Sequence, residues 1–89
     1  MKGNSAFSLQ NIGDVYLLVP LREEAFQKER IIPTNETGAL LWRTLQEECT
    51  EEALAEAILQ EYETEQEVAL ADVRNFLQAL EAGGALIRY

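Results

Sequence analysis

Apolar residues change their spacing near residue 34. Before it they fall in short runs of the strand-forming kind, at residues 7–10, 15–19 and 26–32. A Gly13-Asp14 turn signal separates the first two runs, and residues 20–24, which begin with Pro20, separate the second from the third. This half predicts a small three-stranded antiparallel sheet. Beyond residue 34 the spacing becomes helical. Thr34 or Asn35 can cap a first helix that carries Leu41, Trp42 and Leu45 at core spacing and ends near Glu48. Thr50 followed by Glu51 and Glu52 starts a second helix, because a hydroxyl accepts a bond from an orphan amide and first-turn acids favour the helix dipole. Leu54, Ile58 and Tyr62 form its buried stripe. Thr64 and Glu67 match a capping box that opens a third helix running to about Ala82, where Gly83 and Gly84 supply the left-handed residue that ends it. Leu86 and Ile87 are expected to pack back onto the rest. The fold class is therefore α+β, with a small sheet followed by three helices.

The third helix is apolar over more than one face. At 100° per residue, with Val68 at zero, Phe76, Ala69, Leu80, Val73, Leu77 and Leu70 fall between about 80° and 200°, an ordinary core stripe. Val68, Ala79 and Asp72 extend the margin to between about 0° and 40°. Such a margin is either a shoulder packed against a neighbouring element or one wall of a groove, and periodicity alone does not choose.

Composition narrows the chemistry. The chain has 89 residues, 47% of them hydrophobic and 26% charged, with 16 acids, 7 bases and a formal charge of -9. That length supports one domain over residues 1–89, and the abundance of Leu and Ala opposes disorder despite the charge. No apolar run reaches 18 residues and residues 1–13 carry no signal-peptide core, so the expectation is a cytoplasmic protein without a membrane segment. Histidine is absent, which removes the commonest general base and metal ligand. Cys49 is the only cysteine, and Glu47, Glu48 and Glu51 beside it push its thiol pKa up, the wrong direction for a nucleophile. The glycines at 3, 13, 38, 83 and 84 form no phosphate loop, and the acids show no metal-cage spacing. An enzyme is not expected, nor a cofactor or metal. Residues 1–34 are charge-neutral, so the entire negative charge lies in the helical half.

Three segments read together carry a resemblance: NETGALLW at 35–42, TEEALAEAILQEY at 50–62 and DVRNFLQALEAGG at 72–84, preceded by Val19-Pro20. In this order and spacing the chain resembles the PqqD-like family over about residues 13–84. The resemblance implies a winged helix-turn-helix-like domain that acts without catalysis as a recognition element for ribosomally synthesised, post-translationally modified peptides. Such a domain holds the leader of a precursor peptide as an added strand beside the third strand. It presents that peptide to a modifying enzyme, first of all a radical S-adenosylmethionine maturase. By resemblance the edge lies at about residues 29–34, and the peptide-binding residues are Lys28, Glu29, Arg30, Ile31, Ile32, Val68, Asp72, Val73, Phe76 and Ala79. Lys28 and Arg30 would meet acidic leader residues. Pro33 has no N–H for a ladder, which suits an edge strand and limits how far toward Thr34 an added strand can pair.

Several side chains have plainer readings. Trp42 reads as a core anchor, Asn35, Thr37 and Gly38 as capping and close-packing residues, and Glu47, Glu48, Glu51, Glu52 and Glu56 as a solvated face or a docking surface for a basic patch. Alternative functions are leader binding for lasso-peptide protease machinery, or an adaptor for a folded client. Nucleic acid is not an expected partner, because DNA affinity requires bases against phosphate and the third helix offers only Arg74 against Glu67, Asp72 and Glu81. A free sheet edge also allows a homodimer beside the monomer.

Overall fold

The computed structural model describes residues 1–21 and 31–88. In chain order the elements are β1 (Lys2–Gly3), β2 (Phe7–Ile12), β3 (Val15–Pro20), β4 (Ile32–Thr34), α1 (Glu36–Thr44), α2 (Glu51–Glu61), α3 (Gln66–Gly83) and β5 (Leu86–Ile87). The α+β order of a three-stranded antiparallel sheet followed by three helices is the expected one. That sheet runs β2-β3-β4, and Gly13, at φ 62°, makes the left-handed turn joining its first two strands. Pairing of β2 with β3 is unbroken from Phe7↔Pro20 to Ile12↔Val15, so Pro20, expected in a turn, closes a strand instead. The third strand was expected over residues 26–32. Its described part is Ile32–Thr34, Ile31 lies just before it, and residues 26–30 fall outside the described chain.

A second, two-stranded sheet had no periodic signal. β1 pairs antiparallel with β5, Lys2 opposite Ile87 and Gly3 opposite Leu86. The N-terminal segment is bonded on both sides: the Gly3 N–H donates to the Leu45 carbonyl at 2.8 Å, and the Asn4 N–H donates to that of Ala85 at 2.8 Å. Asn4 also donates from Nδ2 to the Gly84 carbonyl at 3.0 Å, while its Oδ1 accepts from the Ala6 N–H at 2.9 Å. Leu86 and Ile87 thus return to the body as a strand.

Helix boundaries follow their caps. Asn35 caps α1, its side chain accepting from the Gly38 N–H at 2.9 Å, and Thr50 caps α2 by accepting from the Ala53 N–H at 3.1 Å. α1 stops at Thr44 and not near Glu48; Leu45 ends it with its N–H on the Leu41 carbonyl. α3 begins one residue later than the capping box predicts, with Glu65 as an N-cap that makes no side-chain bond. Its other end is as expected, with Gly84 left-handed at φ 76°. Tyr62 is the C-cap of α2 and is exposed, so the buried stripe ends at Ile58.

Leu18 and Ile32 from the sheet, Leu41, Trp42 and Leu45 from α1 and its cap, Leu54 and Ile58 from α2, and Ala69, Val73, Phe76, Leu77 and Leu80 from α3 form one buried cluster. Burying each large side chain contributes about 1.5–3 kcal/mol. Trp42 is the anchor the sequence predicts, and the backbone of β1 rests on it: a Cβ on Gly3 would lie 2.9 Å from two atoms of the indole ring. Because the ring is rigid and enclosed, Gly3→Ala should lower stability by about 1–3 kcal/mol, measured as a lower denaturant midpoint with an unchanged m-value.

Candidate functional site

β4 is an edge strand. Its ladder pairs Ile32 with Leu18, Pro33 with Leu17 and Thr34 with Tyr16, and among the described residues no strand lies on its other side. Proline cannot donate to a ladder, so Pro33 occupies the position without inter-strand bonds, and Ile32 and Thr34 carry the bonds to β3. Pro33 accordingly turns a carbonyl, with no N–H beside it, toward the outer edge.

Next to this edge lies a cavity of about 580 Å³. β4 supplies Ile32, Pro33 and Thr34 to its wall. The start of α1 supplies Asn35, Thr37, Gly38 and Leu41, and α3 supplies Asp72, Asn75, Phe76 and Ala79. The α3 set recurs at i, i+3, i+4 and i+7, one face of a helix. Its base is apolar, with Leu41 and Phe76 belonging to the core, while Pro33, Asp72, Asn75 and Ala79 are exposed at its mouth.

Two glycines bring the walls together. A Cβ on Gly38 would fall 1.8 Å from Thr34 Oγ1 and 3.1 Å from Phe76 Cε1, so only a bare backbone lets the first turn of α1 touch β4 and α3 at once. A Cβ on Gly83 would meet Ile32 Cδ1 at 2.5 Å, which shows how closely the end of α3 approaches the same strand. Asn35 and Gly38 are therefore the capping and close-packing residues expected, and they line the cavity as well.

Of the residues the resemblance implies, Ile32, Asp72, Phe76 and Ala79 come together around this cavity. Val68 does not line it and is 48% exposed, one turn before Asp72. Val73 is fully buried, so its side chain is core and makes no wall; its angle of about 140° on the helical projection already lay in mid-stripe. Ile31 is half-buried beside the edge and outside the lining. Lys28, Glu29 and Arg30 lie outside the described residues. The sequence reading missed Pro33, Thr34, Leu41 and Asn75 as wall residues; for Asn75 the signal was available, since it stands three residues from Asp72 and four from Ala79.

Other chemistry is sparse. Among the described residues no group of three or more acids and cysteines could hold a metal ion, and no helix is long and apolar enough to cross a membrane. The Cys49 thiol has its pKa raised, the direction expected, but the cause is burial and not the neighbouring glutamates, and the positive amino terminus pulls the other way.

A three-stranded antiparallel sheet followed by three helices, with an edge strand beside a helix-walled cavity, places the chain in a class of small α+β proteins. Residues 18–86 match the model of the family described as Coenzyme PQQ synthesis protein D (PqqD), and the chain belongs to that family. Among solved structures it is similar to TbiB1 in complex with the TbiA(beta) leader peptide, at 27% identity and a TM-score of 0.76, over 100% of this chain and 98% of that one. It also shares the fold of lasso peptide synthetase B1 complexed with the leader peptide, at 20% identity and a TM-score of 0.72, over 98% and 96% of the two chains. No curated protein matches the chain.

A raised thiol pKa leaves little thiolate near neutral pH. Cys49 should therefore react with iodoacetamide at pH 8 several-fold more slowly in the folded chain than in urea, followed by mass spectrometry.

Proposed function

We propose that the chain binds, without catalysis, the leader region of a ribosomally synthesised precursor peptide and presents it to the enzyme that modifies it. The observation that carries this reading is that the free edge and the cavity share one strand. A peptide laid along β4 gains main-chain bonds at the edge, and its alternate side chains, about 7 Å apart on one face, reach the cavity between β4 and α3. Membership of the PqqD family supports a role as a peptide carrier, and the solved complex of TbiB1 with a leader peptide supports the class of ligand. Ile31, Ile32, Asp72, Phe76 and Ala79 are the contacts proposed from the described residues, and Lys28, Glu29 and Arg30, which lie outside them, are further contacts that the family resemblance implies.

Pro33 sets a limit on the ladder. Its carbonyl accepts one bond from the peptide, and no return bond is available there, so pairing extends from Pro33 back to Ile31. Beyond Pro33 the peptide leaves the edge and crosses the mouth of the cavity. The modifying enzyme of the first reading is a radical S-adenosylmethionine maturase; leader delivery to lasso-peptide protease machinery is the alternative.

Two measurements test the binding mode. Hydrogen exchange of the 29–34 segment should slow on addition of a leader peptide from a neighbouring precursor gene, while α2 exchanges as before; protection confined to residues 35–62 would contradict strand addition. Ala79→Trp fills the mouth of the cavity from an exposed position, so leader affinity should fall at least tenfold while the melting temperature stays within a few degrees. A lowered melt with affinity retained would make Ala79 a packing residue.

A further inference from the structure

The cavity wall carries one charged residue among those described, and it is an acid. The Asp72 side chain makes no hydrogen bond or ion pair among the described residues, and neither does that of Asn75, three residues on and beside it on the same helix face. The described cations are placed elsewhere. Arg74 pairs with Glu51 of α2 at 3.7 Å, Arg88 pairs with Glu81, Lys2 lies in β1, and Arg43 is exposed in the last turn of α1. The opposite wall does not balance the charge. The Asn35 side chain is taken up by the Gly38 N–H, and Glu36 in that turn adds a second negative charge at the helix start. A carboxylate can only accept hydrogen bonds, and Asn75 adds a second acceptor in its amide oxygen. Below these two acceptors the wall is aliphatic and aromatic, formed by Ile32, Leu41 and Phe76.

We propose that Asp72, with Asn75, is the specificity-determining element of this cavity and selects a peptide carrying lysine or arginine at the position that enters it. A long cationic side chain has the matching shape, since its methylene stem covers apolar wall while its charged head stays at the wet, acidic rim. The net charge of -9 adds to the selection, because the surrounding field favours cationic ligands over acidic ones. This inference rests on the peptide-binding reading above.

A displayed library of random dodecapeptides, selected against the immobilised full chain, tests it with Asp72→Asn, Asp72→Lys and Ala79→Trp in parallel. Asp72 is exposed, so its variants should fold, as a melting curve verifies. The expected result is one position enriched in Lys and Arg with the wild-type chain, no enrichment there with Asp72→Asn, and Glu or Asp in their place with Asp72→Lys. For a synthetic peptide from that selection, Lys→norleucine keeps the stem and removes the charge. It should weaken binding about two- to fivefold at low salt, and the gap should close at high salt. Selected peptides with no charge preference, or with the same preference on Asp72→Asn, would overturn the role of Asp72 and leave peptide binding intact. No peptide enriched over the Ala79→Trp chain would overturn the peptide-binding reading itself, and this inference with it.

Discussion

The contact made by Gly38 sets the distances of the whole site. A single hydrogen in place of a side chain lets the first turn of α1 rest on Thr34 and Phe76, two residues from different elements. With any larger residue α1 would stand off from both, and the space between β4 and α3 would change shape. The Asn35 cap depends on the same closeness, because its side chain accepts from the Gly38 amide and fixes the direction in which the helix leaves the strand. One turn of chain therefore ends the sheet, begins the helical layer and forms one side of the cavity.

Packing and exposure divide α3 between core and cavity wall. Ala69, Val73, Leu77 and Leu80 are buried and hold the helix against its neighbours, while Asp72, Asn75 and Ala79 face outward at the cavity and hold nothing in place. Phe76 serves both, being 8% exposed and present in the core and in the wall. Substitutions at the outward positions can therefore reshape the cavity wall at little cost to the fold.

The helices were legible because local chemistry sets them. Thr50 and Asn35 accept the bonds their residue types predict, and Gly84 adopts the left-handed conformation expected of it. The misplaced cap at Thr64 shows the limit of such signals: a capping box is a pattern many sequences satisfy, and here the helix begins one residue later, at Gln66. β1 and β5 are two residues each and pair across almost the whole chain, so no window of sequence contains their signal. The cavity was legible on one side only. The angular margin of α3 placed Asp72 and Ala79 beside Phe76, but that Pro33 and Thr37 stand across from them follows from the approach of three elements, which no single period encodes.

The pairing of β1 with β5 bears on when the protein takes shape. Lys2 and Gly3 are made long before their strand partners, Ile87 and Leu86, and the Asn4 N–H waits for the carbonyl of Ala85. Contacts so distant in sequence carry the full cost of closing the chain on itself and are slow to form. During synthesis the β2-β3 hairpin can form early, whereas the seam that joins the beginning of the chain to the end of α3 has to wait until residue 87 has cleared the ribosome. Until then the side of Trp42 that β1 covers is open to water and to other nascent chains.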